Sequence, residues 1–346
     1  MRRSLRPLLL LAAGFATMAA GPPGHGLQVE WVDVEGGAAT LIVTPGGESI
    51  LVDTGWPGGR DAERIREAAA RAGLKRIDHL VTTHWHRDHF GGVAEVAERL
   101  PIGRFYDHGF PEGAPPDIPA DLKDAYLRVT RGSSTVLRPG DTIALKQAPG
   151  APPVSIRVVS AHGLVAGETA DAPQSRPCNA QPPHPPLAED PSDNHRSVGI
   201  VLSFGGFDLL DLGDLTWNVE HKLACPRNLS GVVDVYQVTH HGAADSNHPA
   251  VLQAVAPTVA VINNGPRKGG KAEVYKRLQA VGSIKEVFQV HRNVETGAAD
   301  NAPPAFVAND EEACKGQPVR LVVDATARTY TVEVPSKGTR RTYEVR

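Results

Sequence analysis

Apolar and polar residues alternate from 28 to 35, where Val and Trp are frequent, and this period of two predicts a strand. Two more strands are predicted at 39–44 and 49–53, joined by the turn Pro45-Gly46-Gly47. From 61 to 72 the period changes. Ile65, Ala68, Ala69 and Ala72 share one helix face, and Gly73 closes the helix. The same reading gives strands at 77–82, 104–107, 154–160, 232–238 and 259–262, and hairpins at 197–204/207–212 and 320–324/329–334. Further helices are predicted at 93–100, 120–129, 249–254 and 271–281. From 163 to 192 the chain is Pro-rich and aperiodic, and it reads as a long surface insertion. Strands outnumber helices, and the helices fall between strand pairs. That order predicts two sheets with helices outside, not one parallel sheet.

Composition narrows the class. The 346 residues are 41% apolar and 22% charged, a globular balance that excludes coiled coil, collagen and disorder. A net charge of −3 supplies no basic field, so general affinity for nucleic acid is not expected, although a nucleic-acid substrate is not excluded. Arg2, Arg3 and Arg6 precede an uncharged run from 8 to 20 that ends in small residues, the pattern of a secretory signal peptide over 1–20. Its removal takes three arginines and no acids, and moves the net charge from −3 to −6. The expected location is secreted or periplasmic, with no membrane span after signal removal.

Histidine carries the chemistry. His84, His86, Asp88 and His89 lie within Thr-His-Trp-His-Arg-Asp-His-Phe-Gly-Gly, between a predicted strand and a predicted helix. Imidazole and carboxylate suit zinc, manganese or iron, and four such groups this close point to two ions rather than one. A surface-loop origin for this spacing is a poor alternative. The three cysteines fall in the exported part and allow one disulfide with one thiol left over. Cys178 and Cys225 flank the candidate chemistry and are the favoured pair.

The motif His84-x-His86-x-Asp88-His89 after a strand resembles the signature of the metallo-β-lactamase superfamily. Asp53-Thr54-Gly55 is similar to its upstream Asp motif, whose carboxylate supports the metal loop without ligating. Asp211-Leu212-Gly213-Asp214 resembles the motif whose last Asp bridges both ions, and Thr239-His240-His241-Gly242 resembles the last histidine motif. The four motifs keep the superfamily's order over 27 to about 295. The resemblance implies an α/β fold, a four-layer αβ/βα sandwich, in a hydrolase domain over 27–300. A tail with a β-hairpin is expected over 301–346.

Asp193-Asn194 followed by Ser197, an apolar strand, Gly213-Asp214 and His240-His241-Gly242 resembles the ComEC type. That type includes the exported domain of the DNA-uptake competence protein and bacterial phosphorylcholine esterases. The usual Gly-His motif before the bridging Asp is replaced here, so one histidine ligand is expected from elsewhere. His162 is the candidate and His195 the rival, with Asn194 in a supporting position. The implied metal ligands are His84, His86, Asp88, His89, His162, Asp214, His240 and His241, with Asp88 and His241 also read as catalytic. His240 and His241 cannot share one ligand position. Either could bind, while the other hydrogen-bonds a substrate oxyanion or the bridging Asp.

The resemblance implies two divalent ions, zinc first, with manganese or iron as alternatives. Two such ions about 3.5–4 Å apart activate a hydroxide for attack on phosphorus or carbonyl carbon. The expected function is an exported metal-dependent hydrolase of phosphodiesters or phosphomonoesters, with a small-molecule or phosphoester substrate. Lactone or β-lactam hydrolysis is the alternative. A non-catalytic metal-binding module is the rival from another class. Arg267 or Lys268 could meet an anionic substrate, although the loop 266–271 is no P-loop. No serine sits in a nucleophile-elbow context. His79 reads as a strand residue. His25, His108, His184, His221, His248 and His291 read as ordinary histidines.

Overall fold

The computed structural model describes residues 26–113, 116–167, 178 and 184–346. The expected signal peptide lies outside the described residues, as does part of the 163–192 insertion. Among the described residues no helix is long and apolar enough to cross a membrane.

The first sheet holds β1 (Gln28–Trp31), β2 (Thr40–Val43), β3 (Ser49–Val52), β4 (Ile77–Val81), β5 (Ile102–Asp107) and β6 (Thr135–Val136). It is extended by β16 (Val319–Val323), β17 (Thr329–Val334) and β18 (Thr339–Glu344), in the order β18-β17-β16-β1-β2-β3-β4-β5-β6. The second sheet holds β7 (Thr142–Ile143), β8 (Val154–Ala161), β10 (Gly199–Phe204), β11 (Phe207–Asp211), β12 (Val235–Gln237), β13 (Val259–Ile262), β14 (Glu286–His291) and β15 (Val307–Asn309). Its order is β15-β14-β13-β12-β11-β10-β8-β7, with β9 (Leu164–Val165) paired to β8. Each sheet changes character partway. Pairing is antiparallel from β18 to β3 and parallel from β3 to β6. In the second sheet it is antiparallel from β7 to β11 and parallel from β11 to β15.

The burial pattern follows from those positions. β13, Val-Ala-Val-Ile, is buried at every residue, as a parallel strand covered on both faces must be. β17 alternates strictly between half-buried and buried. The inner faces meet in one core that includes Trp31, Ile50, Ile156, Leu202, Phe204, Phe288 and Tyr330. Helices α1 (Arg60–Arg71), α3 (Val93–Arg99) and α4 (Ala120–Thr130) cover the outer face of the first sheet. The short α2 (Arg87–Phe90) precedes α3. Helices α5 (Trp217–Ala224), α6 (Pro249–Val255) and α7 (Ala272–Gln279) cover the second. Ile65, Ala68 and Ala69 are fully buried, so the apolar stripe predicted for α1 is the face it packs. The architecture is the expected four-layer αβ/βα sandwich.

The segment 301–346, set apart from sequence as a tail, is woven into both sheets. β15 pairs with β14, and β16 pairs with β1. The 320–324/329–334 hairpin is therefore a continuation of the first sheet. Cys178 and Cys225 form a disulfide that ties the insertion to the end of α5, and Cys314 stays free.

Gln237 carries a polar contact across the core. Gln237 Oε1 accepts from Trp31 Nε1 at 2.6 Å and from Thr40 Oγ1 at 3.0 Å, joining β12 to β1 and β2. All three residues are buried. Gln237→Leu strands both donors, and each buried donor without a partner costs about 1–3 kcal/mol. We predict a lower urea midpoint at unchanged m-value, with part of the loss recovered by adding Trp31→Phe. An unchanged midpoint in Gln237→Leu would show that this contact does not join the sheets energetically.

Candidate metal centre

The site stands on the rim where the parallel strands of both sheets end, the edge at which α/β sheets place ligands. β3 leads to Asp53, β4 to the 83–89 segment, β11 to Asp214, β12 to His240 and His241, and β13 to the loop carrying Lys268. Gly213 turns the chain after β11 with φ +56°, and a Cβ there would stand 2.9 Å from Thr83 Cβ. That close approach brings Asp214 against the histidine loop of the other sheet. His240 and His241 both adopt left-handed backbone, with φ 54° and 52°.

Asp214 Oδ2 is the point of convergence. Nε2 of His89 lies 3.2 Å away, that of His241 3.3 Å, that of His240 3.5 Å and that of His84 3.9 Å. Asp88 Oδ2 is 3.3 Å from Nε2 of both His89 and His241. Those two rings face each other, Nε2 to Nε2, at 3.1 Å. Ligand atoms of Asp88, His89, Asp214 and His241 all fall within 4.8 Å of one another, and all four residues are buried.

Each ring is anchored through its other nitrogen. His89 Nδ1 is 2.7 Å from Asp53 Oδ2, and His241 Nδ1 is 3.3 Å from the Asn263 carbonyl. His240 Nδ1 is 3.0 Å from Asp245 Oδ1. His84 Nδ1 is 3.1 Å from Thr83 Oγ1, which donates to Asp53 Oδ2 at 2.7 Å. With Nδ1–H given to these acceptors, the Nε2 lone pairs point at carboxylate oxygens. Acceptors facing acceptors need a proton or a cation between them. His84 Nε2 is buried and makes no hydrogen bond. The donor set therefore fits the divalent ions that the fold implies, and Asp53 acts as the outer carboxylate that fixes a ligating histidine.

The electrostatics agree. Burial by itself would raise Asp214, but the imidazoles of His241, His89 and His240 overturn that and hold it well below the usual carboxylate range. Burial would likewise raise Asp88, and His89, His241 and Lys268 hold it well below normal. Burial would lower His89, yet Asp214, Asp88 and Asp53 raise it well above an ordinary histidine. Burial, reinforced by His89 and His86, pushes His84 well down, so it stays neutral and ready to ligate.

The remaining sequence candidates fall around this cluster. His86 Nε2 lies 3.1 Å from Asp117 Oδ2, which leaves Nδ1 for an ion, and its ring centroid is 4.7 Å from that of His84. His162 packs edge-on against His108, with centroids 5.5 Å apart, outside the four groups that share the 4.8 Å cluster. His195 Nδ1 bonds the Ser192 carbonyl. Of the two basic residues considered for substrate, Arg267 pairs with Glu312 at 2.8 Å, whereas Lys268 pairs with Asp88.

Three carboxylates take supporting positions that the sequence reading did not assign, although Asp193 and Asp211 stand in its motifs. Asp193 accepts from the Trp85 amide at 2.8 Å and contacts His108 Nε2 at 3.0 Å. Asp117 holds His86 and also accepts from the Asp193 amide at 2.7 Å. Asp211 accepts from the Gly213 amide at 3.0 Å, and burial pushes its carboxyl up to about 7. Asp193 stands in the Asp-Asn motif but carried no assigned contact. Asp117 had no local signal.

The fold is the metallo-β-lactamase fold. Residues 32–190 match the model of the metallo-β-lactamase superfamily, and the match supports placing the chain there. The chain is 28% identical to recombination protein 2 of Haemophilus influenzae over 265 residues, 75% of this chain and 27% of that protein. It is 38% identical to an atrochrysone carboxyl ACP thioesterase of Aspergillus chevalieri over 82 residues, 24% of each chain. It thus spans about a quarter of the length of these curated relatives. Among solved structures, CmlA, a diiron β-hydroxylase from Streptomyces venezuelae, is similar at 19% identity and TM-score 0.40, over 77% of this chain and 48% of that one.

Removing the Asp53 carboxylate frees the His89 ring. Asp53→Ala should weaken metal binding about 10–100-fold, measured by competition against a chromogenic chelator, with circular dichroism unchanged. Unaltered affinity would remove Asp53 from the site. Metal uptake should also depend on pH. His89 is raised, so it keeps its proton above the ordinary value of 6.5, and an ion must displace that proton. Affinity therefore climbs as pH rises through that range, and uptake releases protons measurable in a weakly buffered titration. A flat profile would contradict the assignment of His89.

Proposed function

We propose that the chain is an exported metal-dependent hydrolase of phosphodiesters or phosphomonoesters, of the ComEC type, working with two divalent ions, zinc first and manganese or iron as alternatives. The observation that carries the reading is the convergence of four imidazole nitrogens on one oxygen of Asp214. Ions held there would supply Lewis-acid charge and would lower the pKa of a water molecule to about 7. His84, His86 and Asp214 form one side of the ligand set, and Asp88, His89, Asp214 and His241 the other.

The chain's own groups complete the chemistry. Lys268 lies against Asp88 with its side chain 38% exposed, so its ammonium is available to an incoming anionic oxygen. The phosphoester preference rests on this cation and on the similarity to a recombination protein. Burial would lower His240, but Asp214 and Asp245 raise it, which favours protonation of a ring whose Nε2 lies 3.5 Å from Asp214 Oδ2. A protonated His240 would serve the leaving oxygen as its acid. Export rests on the basic start and short apolar run of 1–20.

Thioester or lactone hydrolysis is the second reading, favoured by the similarity to the thioesterase. A panel of chromogenic phosphodiester, phosphomonoester, thioester and lactone separates the two. Turnover of the phosphoesters is expected, and activity on acyl substrates alone would replace this reading. Metal binding without turnover of any of them would leave a binding module. Asp214→Ala should lower activity by roughly a thousandfold or more, because the charge holding both ions is lost, while the fold survives. Lys268→Ala should raise KM for anionic substrates roughly tenfold, about 1.4 kcal/mol, with kcat little changed. Near-normal turnover in Asp214→Ala would overturn the site.

A further inference from the structure

A second convergence of donor atoms lies on the same rim, outside the cluster around Asp214. Asp33 follows β1, His291 ends β14, and Cys314 sits in the loop between β15 and β16. Asp33 and His291 are fully buried, and Cys314 is half-buried. Cys314 Sγ is 3.1 Å from Asp33 Oδ2 and 3.3 Å from His291 Nε2, and that Nε2 is 3.5 Å from the same oxygen. The three ligand atoms fall within 4.8 Å of one another.

We propose that Asp33, His291 and Cys314 form a further metal site, for a thiophilic divalent ion with zinc as the first choice, through one oxygen, one nitrogen and one sulfur. Zinc bonds of about 2.3 Å to sulfur and 2.0–2.1 Å to nitrogen and oxygen, at tetrahedral angles, put neighbouring ligand atoms on the order of 3.3–3.6 Å apart. The observed spacings already stand close to that triangle.

Hydrogen bonding alone serves the triangle poorly. The thiol donates to Asp33 Oδ2, and a single proton on Nε2 is left to divide between Sγ and that same oxygen. Asp33 Oδ2 is shared among Cys314, His291 and Arg64 Nη1, the last at 3.4 Å, while Oδ1 already accepts from the Glu35 amide at 2.9 Å. A cation at the centre of the triangle engages all three atoms at once. Asp33 and a Cys314 thiolate together neutralise a divalent ion. Arg64 need not leave, since it also bonds the Asp33 carbonyl at 2.9 Å and Glu35 at 3.0 Å. The partly exposed sulfur gives an entry path and room for water in the fourth position. The thiolate sets this centre apart from the nitrogen and oxygen ligands around Asp214, and soft sulfur favours zinc over calcium or magnesium. An ion there would join β1 of one sheet, β14 of the other and the loop entering β16.

Cobalt(II) supplies the test, because only a thiolate gives a strong sulfur-to-cobalt charge-transfer band in the near ultraviolet. Cys178 and Cys225 are paired in a disulfide, so Cys314 is the one cysteine able to produce it. Full-length protein loaded with cobalt should show the band and bind one more metal equivalent per chain than Cys314→Ser. The band should vanish in Cys314→Ser and weaken in His291→Gln. It should persist in Asp214→Ala, which separates this site from the one proposed for hydrolysis, so either proposal can fail alone. In the wild type, Ellman's reagent should react with the thiol only after a chelator removes the metal. Cobalt-loaded wild type without the band, or a thiol equally reactive with and without metal, overturns the proposal.

Discussion

A buried carboxylate oxygen surrounded by imidazole nitrogens cannot be left uncompensated. Asp214 Oδ2 stands within 3.2–3.9 Å of Nε2 atoms from His84, His89, His240 and His241. Asp88 adds a second buried carboxylate to the same space. Desolvating two anions this way is unfavourable by several kcal/mol each unless positive charge sits among them. Without a metal, that charge comes from the proton on His89, held by Asp214, Asp88 and Asp53, and from the Lys268 ammonium against Asp88. With a metal, the ion takes the proton's place. The site is built so that one kind of positive charge exchanges for another, and the protein must hold the ligands still while that happens.

Much of the surrounding structure serves that rigidity. Asp53 is itself in left-handed backbone, φ 62°, and its two oxygens take the Thr83 amide, the Thr83 hydroxyl and His89 Nδ1. One side chain thus ties the start of the histidine segment, at Thr83, to its end, at His89. Asp193, in the turn before β10, accepts from the Trp85 amide between His84 and His86. Trp85 stacks on Phe110 at 3.9 Å and meets Tyr126 edge-on, so the loop is packed from behind. The ligands come from both sheets. The site's geometry therefore depends on the inter-sheet core and on the Trp31–Gln237 contact that crosses it.

The parts of this arrangement that could be read in the sequence are those whose partners lie close in the chain. His84 to His89 is one short segment, and its spacing reveals ligand chemistry before any fold is known. Asp53, Asp214 and His240-His241 are single motifs at strand ends, legible through their resemblance to the superfamily's motifs. β14 and β18 were not anticipated. β14 lies beyond α7 and the Gly282-Ser283 turn and stays unassigned in the sequence reading, and β18 is an edge strand whose Arg340 and Arg341 break the alternation. The supporting contacts were beyond local reading because they close over long separations. Trp85 to Asp193 spans 108 residues, Asp88 to Lys268 spans 180, and Asp33 to Cys314 spans 281. Only a topology that returns 301–346 to β1 brings the last of these together.

That return explains why the final 45 or so residues are structural and not appended. β1 pairs with β2 on one side and β16 on the other, so the strand leading to Asp33 is interior to its sheet. Without β16, β1 would become an exposed edge, and the loop from 33 to 37 would lose its footing. That loop touches the site. Ala38 donates to the Asp88 carbonyl at 3.0 Å, and Gly36 packs against Lys268 Cβ so closely that a Cβ there would stand 2.8 Å away. Asp33 begins the loop, and the Asp88–Lys268 pair flanks its end. The donor triangle of Asp33, His291 and Cys314 therefore grips one end of a segment whose other end borders the Asp214 cluster. Whatever fixes Asp33 also fixes the wall against which Lys268 and Asp88 are set.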